Sequence, residues 1–263
     1  SAGKQLNFRS SLHEVSDLET FDFSKVQLAL FSAGSNVSHL FAPKAVEAGC
    51  IVIDNSSEFR YQKDIPLIVP EVNLSRLDEF QFPGIIANPN CSTIQMLVAL
   101  KPIHDAYKIK RIDVTTMQAV SGTGQAAVQE LRDQQSAILN SEDVIISSYP
   151  KQIANNVLPH CDDFQENRYT KEEMKMVWET KKILDENIDI TPTCTRVPVF
   201  NGHSESLHIE TERNILETEV VELLRNTSGV KVFYSEREND YPTPADADGE
   251  HSVLVGRIRN DLW

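Results

Sequence analysis

A chain of 263 residues exceeds the usual size of a single hydrophobic core, so two joined domains are expected. Its 40% hydrophobic and 24% charged residues are ordinary for a globular protein, and no apolar run is long enough to span a membrane. The formal net charge of −14 excludes nucleic acid and anionic membranes as main partners, because both bind positive surfaces. An anionic substrate therefore needs a local group of arginine and lysine side chains.

The four cysteines lie at positions 50, 91, 161 and 194, form no CxxC pair and are too few for a disulfide framework. There is no signal-peptide pattern. These features predict a reducing, cytoplasmic location, and no metal site is expected.

Between residues 26 and 91, short apolar runs alternate with a helical stretch, a rhythm typical of parallel strands joined by crossover helices. Strands are predicted at residues 26–34, 50–57, 66–73 and 84–91, and a helix from about residue 35 to Gly49. Each run ends in small or polar residues, and ligands of such sheets bind beyond the carboxyl ends of the strands.

After Cys91 the pattern changes to a helix followed by strands with long helical stretches between them. This order predicts an α+β domain with a mostly antiparallel sheet. The predicted strands are residues 111–120, 193–200, 205–211 and 251–259, and the predicted helices are 170–184 and 216–225. The domain boundary is placed near Cys91, which divides the chain into residues 1–91 and 92–263.

Most of the chemical information lies in the segment NPNCSTIQMLVALKPI, residues 88–103. Ser92 followed three residues later by Gln95 is a capping-box pattern, so Cys91 is predicted to lie just before a helix N-terminus. Unpaired N–H groups there stabilise an anion, which predicts a thiol pKa below the usual value of about 8.5 and donors for an oxyanion. The alternative is a small buried cysteine that only packs.

A cysteine nucleophile needs a base and a group that positions the substrate, usually supplied from distant sequence. His203 lies on a Gly-containing turn between two predicted strands, seven residues after Arg196. From spacing alone, an idle exposed histidine and an ordinary surface arginine remain open.

Several segments resemble the signature segments of the aspartate-semialdehyde dehydrogenase family, in the family's order: NPNCSTIQ, TTMQAVSGTGQAA, YTKEEMKMVWETKKIL and TRVPVFNGHSES. Four others are similar as well, SAGKQL, LALFSAGS, IDNSSEFR and IPLIVPEVN, so the resemblance runs from residue 1 to residue 263. It implies an α/β protein in which a partial Rossmann-like NADP-binding domain at 1–91 precedes an α+β catalytic and dimerisation domain at 92–263.

The resemblance also implies a reaction, the reversible NADP-dependent reductive dephosphorylation of L-aspartyl 4-phosphate to L-aspartate 4-semialdehyde. This step serves the synthesis of lysine (through diaminopimelate), threonine, methionine and isoleucine. Cys91 would carry a thioacyl group, and His203 would take and return a proton, work suited to a pKa near neutrality. Gln118 would orient the acyl group; without the resemblance it is a polar residue at a strand end.

The family's substrate-binding residues match five positions of this chain. Arg196 would hold the substrate carboxylate with its planar fork, and Glu172 would meet the ammonium group. Lys175 and Arg60 would bind phosphate, and Asn90 would also contact substrate. The spacing of Glu172 and Lys175 equally allows a plain surface ion pair.

For the cofactor, the resemblance implies contacts at Ser1 near the 2′-phosphate, at Ser32, Ala33 and Gly34 near adenine and ribose, and at Asn88, Pro89, Ser121 and Gly122 near the nicotinamide. Plain turns are the alternative, since small residues are common turn formers. The family's Gly-rich turn is expected upstream of Ser1, and its closing segment beyond Trp263.

Three other readings remain open at this point. One is another acyl-phosphate reductase, such as N-acetyl-gamma-glutamyl-phosphate reductase, which needs no carboxylate at Glu172 because its substrate amine is uncharged. The second is a cofactor-independent cysteine hydrolase or acyltransferase that uses Cys91 and His203. The third is a catalytically silent assembly partner. The resemblance implies a homodimer through residues 92–263, or a homotetramer.

Overall fold

The computed structural model describes residues 2–235, 237 and 239–262. The chain divides into two compact units, the first made of residues 1–66 and 76–88 and the second of residues 67–75 and 89–263. The main division falls between Asn88 and Pro89.

The first unit contains a hairpin, a parallel sheet and one long helix. Its elements are β1 (Gln5–Phe8), β2 (Ser11–Glu14), a 3-10 helix (Phe23–Lys25), β3 (Leu28–Phe31), α1 (Ser35–Glu47), β4 (Ile51–Asp54) and β5 (Ile85–Ala87). Strands β1 and β2 form an antiparallel pair that is exposed at every residue. The hairpin was not predicted from the sequence.

The parallel sheet of the first unit confirms three of the predicted strands. Strands β3, β4 and β5 lie side by side in that order, and both pairs are parallel. Helix α1 also matches its prediction: Gly49, two residues beyond it, has a φ of 95°, a conformation that glycine adopts without strain.

The predicted strand at residues 66–73 is wrong, because its second half forms the short helix α2 (Pro70–Asn73). Pro70 is well placed at the start of a helix, where the amide it lacks has no partner to lose. The Asn73 side chain then closes the turn, accepting from the Val69 N–H at 2.9 Å and donating to the Leu67 carbonyl at 2.9 Å.

The second unit holds the remaining elements. After α2 and a 3-10 helix (Leu74–Leu77) that spans the division come α3 (Cys91–Tyr107), β6 (Ile109–Gln118), a 3-10 helix (Val120–Thr123), α4 (Gln125–Leu139), α5 (Lys171–Ile183), β7 (Asp189–Arg196), β8 (Ser204–Thr211), α6 (Glu217–Arg225), β9 (Val230–Phe233), α7 (Pro244–Ala247) and β10 (Val253–Gly256). The predictions for α5, α6, β6, β7, β8 and β10 are confirmed. Helices α4 and α7 and strand β9 were not predicted.

The sheet of the second unit is mixed, so the prediction of a mostly antiparallel sheet is wrong. Its order is β7-β6-β8, with β6 parallel to β7 and antiparallel to β8, and β9 pairs with β10 in parallel. The physical reason is the long connection between β6 and β7. It carries α4 and α5, which gives the chain the length to return to the same end of the sheet.

This topology brings three chain segments to one edge of the sheet. Gln118 and Arg196 are register partners at the carboxyl ends of β6 and β7. Ser204, the first residue of β8, pairs with Met117 of β6. The loops at 119–124 and 197–203 therefore leave or enter the sheet at the same edge.

A buried apolar cluster holds these loops in place. Val120 is fully buried in it, with Ala127, Leu131, Ile153, Ala154 and Leu158. Among the described residues, no helix is long and apolar enough to cross a bilayer. Within the same residues, no cluster of three or more His, Cys, Asp and Glu side chains is placed to hold a metal ion.

Candidate active site

The N-terminus of α3 places Cys91 in its first turn. Asn90 is the N-cap, and its Oδ1 accepts from the N–H groups of Ser92 at 3.0 Å and Thr93 at 3.3 Å. The prediction that Ser92 caps the helix is wrong, because its buried hydroxyl accepts a bond from the Gln118 amide at 3.0 Å instead. Cys91 is consequently the first helical residue and not the one before it.

The carboxylate of Glu172 connects the side chains around this helix end. Its Oε1 accepts from Asn90 Nδ2 at 2.8 Å and Gln118 Nε2 at 3.2 Å, and its Oε2 accepts from Lys175 Nζ at 3.0 Å. Glu172 is only 7% exposed, so the surface ion-pair alternative is wrong although the pair itself exists. Burial acts to raise the pKa of Glu172, but Lys175 and these hydrogen bonds outweigh it and hold the pKa below its ordinary value. Glu172 is therefore an anion at neutral pH.

Two further contacts support this arrangement. The backbone N–H of Asn90 donates to the Glu179 carboxylate at 2.6 Å, and Glu179 is fully buried. Lys175 also binds Asp162 at 2.7 Å, so two carboxylates share one lysine. Both amide atoms of Asn90 are engaged within the protein, which makes it a positioning residue here; its predicted contact with substrate stays a prediction.

The backbone carbonyl and N–H of Ala119 form hydrogen bonds with the side chains of Arg196 and His203, respectively. The Ala119 carbonyl accepts from Arg196 Nη1 at 2.6 Å, and the Ala119 N–H donates to His203 Nδ1 at 3.0 Å. Arg196 is 7% exposed and His203 is half-buried, so neither is the idle surface residue that spacing alone left open. Among the described residues the buried Arg196 Nε has no hydrogen-bond partner.

The charge state of His203 differs from the expectation. Burial and the neighbouring Arg196 cation lower the pKa of His203 to about 4, with Glu172 acting weakly in the opposite direction. The prediction of a pKa near neutrality is therefore wrong. The ring is neutral at physiological pH.

The Cys91 thiol also differs from its prediction. The residue is exposed at the surface of the chain, yet the protein atoms around its sulfur and the Glu172 carboxylate raise the pKa of the thiol above its usual value. Hydrogen bonds from Ser92 act the other way but do not outweigh them. The predicted lowering by the helix end is wrong because removal of water and a nearby anion both favour the neutral thiol.

This raised pKa predicts how Cys91 reacts with iodoacetamide. The other three cysteines are buried, so alkylation reports on Cys91 alone. We expect the rate to rise about tenfold per pH unit from about pH 6 to about pH 8, because only the thiolate reacts. Glu172→Gln removes an anion that opposes ionisation, so it should alkylate faster at each pH. A rate plateau already below about pH 7 would contradict the assignment, and Cys91→Ser, which should not be labelled, is the control.

Gly122 lies against the ends of the Arg196 and His203 side chains. A Cβ at this position would be 3.1 Å from His203 Nε2 and 3.2 Å from Arg196 Nη1. Gly122 therefore packs closely against these two nitrogens, where there is no room for a larger side chain. Its predicted contact with the nicotinamide stays a prediction.

Gly122→Ala should displace both side chains slightly without unfolding the chain. We expect kcat/KM to fall by about ten- to a hundredfold, because small misplacements of catalytic groups are costly. Thr123→Ala, in the same turn, is the matched control, since the hydroxyl of Thr123 accepts from Tyr149 and has no hydrogen bond to Arg196 or His203 among the described residues. Steady-state kinetics checks this expectation, and thermal unfolding should show that both variants are equally stable. An unchanged kcat/KM in Gly122→Ala would contradict it.

The first unit carries the other predicted site residues, apart from Pro89 and Ser121, which lie in the second unit. One polar residue follows each parallel strand, and the three are connected: Asn88 Nδ2 donates to Asn55 Oδ1 at 2.7 Å, and Asn55 Nδ2 donates to Ser32 Oγ at 3.2 Å. Asn55 was not predicted as a site residue, although its place after a strand is the signal that marks the others. Arg60 is buried and donates to the carbonyls of Ser56 at 3.0 Å and Asn55 at 3.1 Å.

Gly34 begins α1 with an unusual backbone. Its φ of 95° and ψ of 163° strongly favour glycine, and α1 has no side-chain cap at this end. A Cβ there would meet nothing within 4 Å. The first-turn amides of α1 thus remain open toward an anion. Ala33 directly precedes this turn, and Ser1 lies outside the described residues.

Comparison with known proteins shows to which family the chain belongs. Residues 1–80 match the family model "Semialdehyde dehydrogenase, NAD binding domain", and residues 100–263 match "Semialdehyde dehydrogenase, dimerisation domain". Aspartate-semialdehyde dehydrogenase 2 of Vibrio cholerae is 53% identical over 264 residues, which cover 100% of this chain and 77% of that protein. The chain belongs to the aspartate-semialdehyde dehydrogenase family. The resemblance found in the sequence is thereby confirmed.

Two solved structures extend the comparison. Aspartate semialdehyde dehydrogenase II from Vibrio cholerae, complexed with ASA, has a TM-score of 0.96 and 52% identity, covering 100% of this chain and 78% of that one. Aspartate semialdehyde dehydrogenase with NADP from Candida albicans has a TM-score of 0.74 and 25% identity, covering 99% and 80%. These matches confirm the α/β class, with a nucleotide-binding Rossmann-like domain and a dimerisation domain. They make the chain an oxidoreductase of amino-acid biosynthesis in the aspartate pathway.

Three contributions to the site were missed from sequence. They are the Ala119 backbone, the buried Glu179 carboxylate and the Ser92 hydroxyl. Ala119 acts through main-chain atoms, which leave no signal in residue type. Ser92 was noticed, but as a helix cap.

Proposed function

We propose that the chain catalyses the reversible, NADP-dependent reductive dephosphorylation of L-aspartyl 4-phosphate to L-aspartate 4-semialdehyde through a thioacyl group on Cys91. The observation that carries the proposal is the contact network at one edge of the β7-β6-β8 sheet. It links an exposed thiol at a helix N-terminus to a buried anion, Glu172, through Ser92 and Gln118, and places a buried cation, Arg196, beside Gln118.

The charges of this network suit an amino-acid substrate. Arg196 offers a planar fork to an α-carboxylate, and its buried Nε has no partner within the described part of the chain. Glu172 is ionised and offers a carboxylate to an α-ammonium group. The same feature disfavours N-acetyl-gamma-glutamyl-phosphate reduction, because an acylated amine carries no charge to meet this anion.

The covalent step uses Cys91 as nucleophile. In the direction of semialdehyde oxidation, the ionised sulfur forms a bond to the aldehyde carbon and the carbonyl electron pair moves to oxygen. Gln118 can hold the bound group without changing the charge beside the sulfur, because its amide is neutral. When phosphate attacks the thioester carbon, the carbon–sulfur bond breaks and Cys91 leaves as thiolate, which splits one difficult displacement into two easier steps.

The phosphate is assigned to Lys175 and Arg60. Lys175 already binds Glu172 and Asp162, so it is a fixed cation rather than a mobile surface lysine. Arg60 lies in the first unit, where carbonyl contacts hold its guanidinium.

A nicotinamide nucleotide fits the first unit. The open N-terminus of α1 beside Gly34 suits a phosphate group, and Ser32, Asn55 and Asn88 offer polar atoms along the carboxyl ends of the strands. When bound, the cofactor supplies hydride acceptance at the oxidised carbon. We assign NADP rather than NAD, with Ser1, Ser32, Ala33 and Gly34 near the adenine ribose and Asn88, Pro89, Ser121 and Gly122 near the nicotinamide.

For assembly and location, we propose a cytoplasmic homodimer formed through residues 92–263. The match of residues 100–263 to a dimerisation-domain model supports it. Light scattering during gel filtration distinguishes a dimer from the tetramer that the sequence also allowed.

The test of the function follows absorbance of the reduced nicotinamide with L-aspartate 4-semialdehyde and phosphate. We expect sustained reduction of NADP, beyond one equivalent per active site, only when phosphate is present, and a much lower kcat/KM with NAD. Equal efficiency with both cofactors would remove the NADP assignment. Turnover that needs neither phosphate nor cofactor would overturn the proposed function in favour of the hydrolase.

A further inference from the structure

Asp54 is the last residue of β4, and its side chain is fully buried in the first unit. Its Oδ1 accepts from the Ser38 hydroxyl at 2.6 Å and from the Ser56 N–H at 3.2 Å, and its Oδ2 accepts from the Ser56 hydroxyl at 2.7 Å. Burying a carboxylate is costly unless its oxygens are hydrogen-bonded, so an apolar residue would suit a position that only packs. Asp54 therefore acts through the two serines that it holds.

The contact with Ser38 fixes the beginning of α1. Ser38 lies in the first turn of this helix, where its N–H donates to the Gly34 carbonyl at 3.1 Å. No side chain caps this end of the helix. The bond from Ser38 to Asp54 thus anchors to the sheet the same turn whose open amides are assigned to the cofactor.

The contacts with Ser56 fix the loop that follows β4. The Ser56 hydroxyl also accepts from the Glu58 N–H at 3.2 Å, which folds the loop back on itself. The Ser56 carbonyl accepts from Arg60 Nε at 3.0 Å, and Arg60 is buried. Because the N–H and the hydroxyl of Ser56 both donate to one carboxylate, Asp54 restrains the backbone to which the Arg60 guanidinium is bonded.

A further contact joins the same two segments at their outer side. The hydroxyls of Ser35, at the start of α1, and Ser57, in the loop, lie 3.2 Å apart and are partly exposed. Asp54 is the buried member of this arrangement, and its backbone is fixed as well, since its carbonyl accepts from the Asn88 N–H at 2.8 Å. One carboxylate at the end of a strand therefore sets the positions of a helix turn and of a loop.

We propose that Asp54 is a positioning residue that fixes both the cofactor-binding turn of α1 and the phosphate-binding Arg60, so that it sets the affinities for NADP and for phosphate together. The proposal rests on the proposed function, which assigns these two ligands to the first unit. Asp54 itself is buried beneath both segments and contacts neither ligand. Its effect passes through Ser38 to the cofactor and through Ser56 to phosphate.

The two serine variants separate these two effects. Ser38→Ala should raise the KM for NADP by about three- to tenfold, the loss expected for one hydrogen bond, and leave the KM for phosphate within about twofold. Ser56→Ala should do the reverse. In both, kcat should stay within about threefold, because the Cys91 segment lies in the second unit. His39→Gln, next to Ser38 on the exposed side of α1, is the matched control and should change neither constant.

Variants of Asp54 test whether one residue carries both effects. Asp54→Ala should raise both KM values by about tenfold. Asp54→Asn keeps an oxygen that can accept from Ser38 and from the Ser56 N–H, so it should bring both values back to within about threefold of the parent. If Asp54→Ala does not fold, Asp54→Asn and the two serine variants carry the test, and thermal unfolding identifies that case.

Calorimetric titration with NADP, without semialdehyde or phosphate, measures cofactor binding apart from turnover. Its Kd should rise in Ser38→Ala and Asp54→Ala and stay unchanged in Ser56→Ala. Equal changes of both KM values in the two serine variants, a loss confined to kcat, or unchanged constants in every variant would overturn the proposal. Turnover of the parent chain that needs neither NADP nor phosphate would instead overturn the proposed function, so the two failures are distinguishable.

Discussion

Cys91→Ser should lower kcat/KM for L-aspartate 4-semialdehyde by about 10⁴-fold or more, a loss of the size seen when a covalent nucleophile is removed. A serine hydroxyl is far less acidic than a thiol, so a far smaller fraction of it is ionised and able to attack the carbonyl carbon. The substitution is nearly isosteric at an exposed position, so the fold should be unaffected. Steady-state assays with phosphate and NADP measure the loss.

Cys50→Ser is the matched control for this experiment. The Cys50 thiol is buried in the first unit and donates to the carbonyls of Phe23 at 3.1 Å and Val26 at 2.9 Å, contacts that a hydroxyl can replace. Its kcat/KM should stay within about twofold of the parent value because this thiol only packs. If Cys91→Ser retained a tenth of the parent activity, Cys91 would not be the nucleophile.

Arg196→Lys is expected to have the second largest effect, a fall in kcat/KM of about 10³-fold carried mainly by KM. Lysine keeps the charge but loses the planar fork that binds a carboxylate with two parallel bonds. It also loses the Nη1 contact that orients the Ala119 peptide, so the Ala119 bond to His203 should weaken as well. The loss of the fork raises KM, and the weaker bond to His203 lowers kcat to a smaller extent.

The control for this substitution is Arg132→Lys. Arg132 lies in the same unit, where its guanidinium is 5.5 Å from the centre of the Phe200 ring, and it takes no part in the site. Lysine can keep that cation–π contact, so kcat/KM should not change. A normal KM in Arg196→Lys would contradict the assignment of the substrate carboxylate to this residue.

The elements that could be predicted from the sequence are those whose pattern is local. Helix α5 is capped by Thr170, whose hydroxyl and Glu173 form a capping box, a signal that lies within four consecutive residues. The strand predicted at 66–73 failed because Pro70 and Asn73 favour a short helical turn in the middle of an apolar run. The prediction of strand direction in the second unit failed because the direction depends on how the long connection between β6 and β7 returns to the sheet. No local sequence pattern indicates this.

The family resemblance identified the site residues, but it did not predict their protonation states. The resemblance selected Cys91, Gln118, Glu172, Arg196 and His203, and the structure brings these side chains together in the second unit. Both pKa predictions were wrong for one reason. A helix end and a turn are local features, whereas burial and the charges of Glu172 and Arg196 come from distant segments of the chain.

The central claim is that Cys91 carries the acyl group. Mass spectrometry of the chain after brief incubation with L-aspartate 4-semialdehyde and NADP, in the absence of phosphate, tests it most directly. We expect one aspartyl group on the peptide that contains Cys91, removed when phosphate is added and absent from Cys91→Ser. Formation of reduced nicotinamide with no acyl group on Cys91 would contradict the account.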